Sequence, residues 1–206
     1  METSDRKKHW ENIYRTKNLN ELSWFQPIPQ TSLSFFKKLN VPLTANIIDV
    51  GGGDSFLVDH LLDSGYQNVT VLDISEISLD KAKQRLSDRS KYVHWIVADA
   101  SAFKPKEQFD FWHDRAAFHF LTQEHEIEHY IDTVQQSIRP NGILVIGTFS
   151  ERGPKTCSGI TIHQYSEITL TDRLKKFFEK MECITVDHKT PSGTMQNFIF
   201  GSFRRL

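Results

Sequence analysis

Ile47-Ile48-Asp49-Val50-Gly51-Gly52-Gly53-Asp54-Ser55 is the stretch on which the fold turns. A short apolar run that stops at consecutive glycines reads as a buried strand. Glycines there let the backbone turn tightly and let a ligand approach the main chain at the strand's carboxyl end. On its C-terminal side strands and helices alternate. Helices are predicted at Ser55 to Leu62, Ile77 to Leu86 and about Gln123 to Ile138. Strands are predicted at Val69 to Leu72, Tyr92 to Val97, Phe109 to Trp112 and Ile143 to Phe149. Short apolar strands alternating with helices mean βαβ units, wound by right-handed crossovers into a parallel sheet covered on both faces.

On the N-terminal side a helix opens the chain, with Ser4 and Asp5 as caps and Trp10, Ile13 and Tyr14 on one side. Pro27 and Pro29 break the segment Trp24 to Gln30, and a second helix runs from Thr31 to Leu39. The C-terminal end differs in kind. Glu182 to Asp187 and Met195 to Phe203 are strand-like runs joined by the turn-rich Thr190-Pro191-Ser192-Gly193, so a hairpin adds an antiparallel strand. Dinucleotide folds end on another parallel unit, so this ending points elsewhere.

The 206 residues suit one domain, and 38% hydrophobic with 25% charged residues is an ordinary globular balance. The net charge is −1, with Lys and Arg spread along the chain, which disfavours nucleic acid as a partner. No run has the apolar length to cross a bilayer, and Met1 to Trp10 lacks the apolar core of a leader. Cys157 and Cys183 are too few for a disulfide framework and predict a cytoplasmic protein.

Three successive strand ends each carry an acid: Asp49, Asp73 about 20 residues after the glycine loop, and Asp99. A dinucleotide needs its pyrophosphate over the helix N-terminus. Here Asp54 sits in that turn and Phe56 replaces the third glycine of the dinucleotide pattern, so phosphate is disfavoured. A phosphate-free cation, S-adenosylmethionine, suits the acidic loop.

On these residues the chain resembles the class I S-adenosylmethionine-dependent methyltransferases over nearly its full length. The resemblance implies an α/β, three-layer Rossmann-like fold, with a mostly parallel seven-stranded sheet and an antiparallel C-terminal hairpin strand. Asp49-Val50-Gly51-Gly52-Gly53 looks like the family's first motif, with Ser55 where a third glycine is common. Asp73, followed by Ile74, matches the acid that holds the ribose, and Asp99 with Ala100 the pair beside the adenine. The opening is similar to the group containing the elongation-factor and citrate-synthase lysine methyltransferases, through His9-Trp10, Tyr14 and Trp24. By that resemblance residues 1–40 form a helical cap over the cofactor within a single domain, 1–206. Trp10, Tyr14 and Trp24 would then close over the sulfonium, where cation–π attraction is physically reasonable.

Methyl transfer needs little beyond in-line positioning and exclusion of water, so no catalytic triad is expected. The segment after the fourth strand, Trp112-His113-Asp114-Arg115-Ala116-Ala117-Phe118-His119-Phe120, faces the methyl group in this family. His113 and His119 are candidate bases, Arg115 a candidate for orienting the acceptor, and Asp114 a candidate for orienting the donor. The long connection Phe149 to Tyr165 is a candidate substrate wall through Cys157, His163 and Tyr165. His125-Glu126-Ile127-Glu128-His129 fits a zinc-protease pattern. Ile127, Ile131, Val134 and Ile138 lie on the helix side opposite both histidines and must face the sheet, so no metal site is assigned.

The resulting expectation is methyl transfer from S-adenosylmethionine, leaving S-adenosylhomocysteine, to a small nitrogen, sulfur or oxygen nucleophile. A protein lysine is the alternative acceptor. A nicotinamide oxidoreductase and a non-catalytic cofactor-binding module are more distant.

Overall fold

The computed structural model describes residues 3–206, with side chains from residue 5 onward. Its sheet contains β1 (Asn46–Val50), β2 (Asn68–Asp73), β3 (Val93–Val97), β4 (Phe109–Arg115) and β5 (Ile138–Phe149). Helices α1 (Thr3–Thr16) and α2 (Gln30–Lys38) precede them. Helices α3 (Leu57–Asp63), α4 (Glu76–Leu86) and α5 (Glu124–Ser137) connect them. After β5 come a two-residue-a-side hairpin of β6 (Thr156–Cys157) and β7 (Ile160–Thr161), helix α6 (Glu167–Leu174), and strands β8 (Phe178–Lys189) and β9 (Met195–Arg205). The expected cap at Ser4 lies outside the described side chains.

The seven-stranded sheet has the order β3-β2-β1-β4-β5-β9-β8. β1 to β5 pair in parallel, and β9 runs antiparallel to both β5 and β8. Alternation of side chains along each strand supplies both faces. Ile47 packs with Phe35 and Phe36 of α2 and Leu57 and Leu61 of α3. Ile48 packs on the other face with Ile127, Tyr130 and Val134 of α5. The sheet is therefore buried on both sides, in three layers.

Several features depart from the sequence reading. β4 runs on to Arg115, so His113, Asp114 and Arg115 lie on the strand rather than after it. β5 begins at Ile138, and the β6–β7 hairpin was not expected. Helix α6 was not predicted; Ser166 caps it by accepting from the Thr169 N–H at 3.3 Å. β8 and β9 extend beyond the predicted runs because each lengthens the other's ladder, from Phe178 opposite Arg205 to Lys189 opposite Met195.

The path of the chain locates the site. From β1 it moves to β2 and β3 on one side, then crosses to β4 and β5 on the other. Connections leave β1 and β4 in opposite directions, so a crevice opens outside their carboxyl ends.

Candidate active site

A cavity lies at this crevice, lined from the ends of β1, β2 and β3 and the turn after β4. Gly51 forms its floor, with its N–H donating to the Leu72 carbonyl at 2.8 Å and φ at +68°. A Cβ there would stand 2.7 Å from the Ala117 Cβ. The glycine loop and the turn after β4 therefore approach to a distance that only glycine permits.

β2 delivers Asp73 and Ile74 to the cavity. Asp73 Oδ1 accepts from the Ser75 N–H at 2.8 Å, and burial pushes its carboxyl up to about 7. The residues after β3 deliver Asp99 and Ala100. Arg6 Nη1 donates to both Asp99 oxygens at 3.1 Å, and Arg6 Nη2 donates to Glu126 Oε1 at 2.5 Å. Arg6 itself lines the cavity. No sequence signal marks it, since one cation among Arg6, Lys7, Lys8 and Arg15 in a polar helix looks like any solvated residue.

Trp10 and Tyr14 of α1 and Trp24 form an aromatic wall with Phe120. Ring centroids are 5.7 Å apart for Trp10 and Trp24, 6.1 Å for Tyr14 and Trp24, and 5.0 Å for Trp10 and Phe120. Helix α1 is held there from α4 as well. Lys81 Nζ donates to the Tyr14 carbonyl at 2.5 Å, and the Glu76 N–H donates to Glu11 Oε1 at 2.8 Å.

Asp49 lies beside this cavity rather than in it. With Gly52, His113 and Ser32 it lines a smaller recess that shares Gly51, Trp24 and Arg115 with the main cavity. His113 is clamped there, its Nδ1 2.7 Å from Asp49 Oδ1 and its Nε2 2.9 Å from Ser32 Oγ. Gly53 borders neither space. A Cβ on it would meet Asp73 Oδ2 and the Tyr14 hydroxyl, each at 2.8 Å, so its bareness lets β2 and α1 close together.

The role expected of Asp54 needs correction. Its carboxylate is buried and paired with Arg85, which also bonds Asp59 at 2.9 Å. With Asp54 and Asp99 both paired to arginines, the acids carry less of any preference for a cation than the spacing suggested. The aromatic wall carries more of it.

Asp114 and His119 line neither space. Asp114 is fully buried and accepts from the N–H groups of Ala117 (2.9 Å) and Phe118 (3.1 Å) and from the Tyr130 hydroxyl (2.6 Å). It thereby holds the turn that presents Arg115; burial raises its carboxyl to about 6. His119 is fully buried, its Nδ1 accepts from the Phe149 N–H at 3.3 Å, and burial lowers its imidazole to about 3. A group so placed and so weakly basic is opposed to the base role expected of it.

The far end of the cavity is built from chain that follows β5: Phe149, Cys157, Gln196 and Phe198. Burial pushes the Cys157 thiol up to about 11. Tyr165 is buried against Phe118 at 5.3 Å, and neither it nor His163 lines the cavity. On α5, His125 is exposed and His129 half-buried, on the outside of the helix.

Comparison with known proteins agrees with this geometry. Residues 47–142 match the family described as Methyltransferase domain. The EEF1A lysine methyltransferase 2 of Danio rerio is 23% identical over 155 residues, covering 68% of this chain and 66% of that protein. The eEF1A lysine and N-terminal methyltransferase of Mus musculus is 24% identical over 123 residues, 58% of this chain and 17% of that protein. The chain thus spans less than two thirds of either relative. Among solved structures, the N-methyltransferase NodS from Bradyrhizobium japonicum WM9, in complex with S-adenosyl-L-homocysteine, superposes with a TM-score of 0.72 at 18% identity. That match covers 95% of this chain and 97% of NodS. Sheet order, matched span and these likenesses together give the chain the class I, Rossmann-like fold of the S-adenosylmethionine-dependent methyltransferases.

Proposed function

We propose that the chain is an S-adenosylmethionine-dependent methyltransferase acting on a small molecule. The observation that carries this is a single cavity bounded by a glycine floor, by Asp73 and Asp99 from successive strand ends, and by the aromatic wall. The residues present fit the donor. Gly51 offers a bare main chain, Asp73 an acceptor for ribose hydroxyls, and Ala100 and Ile74 apolar surface for an adenine. Trp10, Tyr14 and Trp24 offer π faces for a sulfonium. When bound, the donor supplies an electrophilic methyl group.

The chain's own contribution is positional. Trp10, Trp24 and Phe120 exclude water from the reacting end, and Arg115 faces the acceptor space. His113 has both ring nitrogens engaged and serves to fix Asp49 and the β1–β4 pair. Residues 3–40 act as a cap on one domain, tied down by the Arg6 pairs.

A protein-lysine acceptor is the second reading, favoured by the lysine methyltransferases among the sequence relatives. The guanidinium of Arg115 in the acceptor space opposes it, because it repels a lysine ammonium. A cytoplasmic location agrees with two free cysteines and with the finding that no described helix is long and apolar enough to cross a membrane.

Isothermal titration with S-adenosylhomocysteine and with NAD tests the reading. Binding of the first alone is expected, and tight NAD binding with none of the first would overturn it. Labelled donor added to lysate separated by size then distinguishes acceptors. Label in small molecules is expected; label confined to macromolecules would replace this reading with the lysine one.

A further inference from the structure

Arg6 is buried, Arg85 and Arg115 are half-buried, and the three guanidinium groups are not treated alike. Arg6 is bonded to Asp99 and Glu126, and Arg85 to Asp54 and Asp59. Arg115 has no carboxylate within ion-pair distance among the described residues. Its Nη1 donates to the Trp24 carbonyl at 3.1 Å, its guanidinium carbon lies 5.1 Å from the Phe198 ring centroid, and its buried Nη2 has no partner. Burial lowers Arg115 to about 10, so it is still a cation at neutral pH. Asp49 favours the charge from beyond ion-pair distance, but a buried Nη2 left without an acceptor is costly and unusual unless a ligand completes it.

A second unsatisfied group lines the same cavity. Gln196 is 7% exposed and its Oε1 has no partner. Gln196 and Phe198 are two residues apart on β9, so both project from the same face, about 7 Å apart along the strand. Arg115 stacks over the second of them. The cavity's far end therefore offers an unpaired cationic donor and a nearby unpaired acceptor, between the apolar surfaces of Trp24, Phe149 and Phe198.

We propose that the methyl acceptor is a small, apolar-bodied molecule bearing a carboxylate, held by Arg115 through that carboxylate and by Gln196 Oε1 through an N–H or O–H. This rests on the methyltransferase reading and names its substrate class. The donor also carries a carboxylate, and the test separates the two sources.

Benzoate and its neutral isostere benzamide are titrated by ligand-observed NMR into the full chain saturated with S-adenosylhomocysteine. The same is done with Arg115→Gln, Arg115→Lys and Gln196→Leu. S-adenosylhomocysteine and 5′-methylthioadenosine, which lacks the carboxylate, are titrated into wild type and variants. Benzoate should bind the wild-type complex at least about tenfold more tightly than benzamide, the value of one charge-assisted contact. Arg115→Gln should remove that preference, Arg115→Lys should keep part of it, and S-adenosylhomocysteine affinity should hold within about threefold. Equal or absent binding of the two probes to wild type overturns the proposal without requiring any variant to fold. Loss of S-adenosylhomocysteine affinity in Arg115→Gln, with 5′-methylthioadenosine unaffected, also overturns it by assigning the arginine to the donor. Failure of wild type to bind S-adenosylhomocysteine defeats the methyltransferase reading itself, and this proposal with it.

Discussion

Replacing Asp73 by Asn should make the protein more stable at neutral pH while weakening its hold on the cofactor. The side chain keeps its shape and can still accept from the Ser75 N–H. In the folded chain the Asp73 carboxyl titrates near 7, against an ordinary value of 3.8. The folded state thus binds its proton more tightly than the unfolded chain, so stability falls as pH rises from 3.8 through about 7. At about 1.4 kcal/mol for each pH step, the full cost above that window is about 4 kcal/mol. Asn carries none of it. Urea unfolding of both proteins from about pH 4 to about pH 8 should give curves that coincide at the acid end. They should diverge to about 4 kcal/mol at the alkaline end, a Tm difference on the order of 10 °C. S-adenosylhomocysteine affinity should drop by about tenfold or more, because an ionised acceptor for the ribose has gone. A stability difference that stays flat across this range would refute the reasoning, for it would mean that Asp73 is solvated in the folded protein. Unchanged affinity would remove it from the ribose site.

Two other substitutions test separate parts of the site. Trp10→Leu removes a π face from the wall around Trp24 and Tyr14. S-adenosylmethionine should lose more affinity than neutral S-adenosylhomocysteine, by about 0.5–2 kcal/mol, and equal losses by titration would reduce the wall to packing. Arg6→Ala leaves Asp99 and Glu126 without their shared cation, although Asp99 keeps the Ser101 N–H at 2.9 Å. Such a deletion should cost about 3–5 kcal/mol in chemical denaturation and speed hydrogen exchange in α1 before the sheet; uniform exchange would show that Arg6 does not anchor the cap.

The prediction about Asp73 could be framed from the chain alone only in part. That it closes a strand beside a glycine loop was legible, since both strand and loop are read over a few neighbouring residues. That its carboxyl is buried enough to titrate near 7 was not. The same division runs through Asp54 and Asp99. Their positions, one in the glycine turn and one at a strand end, were legible, whereas their pairing with Arg85 and Arg6, 31 and 93 residues away, was not. His119 looked like a base because histidine is a common one, and only its full burial removes that role.

Local order is what the linear chain determines about this protein. Apolar periodicity, glycines and turn residues act over a few positions, so the alternating strands and helices, the switch at β1 and the closing hairpin follow from short segments. The tertiary structure alone decided which charges meet. β9 lies beside β5 although some 50 residues separate them, and this brings Gln196 and Phe198 to the space Arg115 enters. Whether an arginine finds a carboxylate there depends on contacts between distant segments and on how much water they exclude, and neither quantity is written in the neighbours of residue 115.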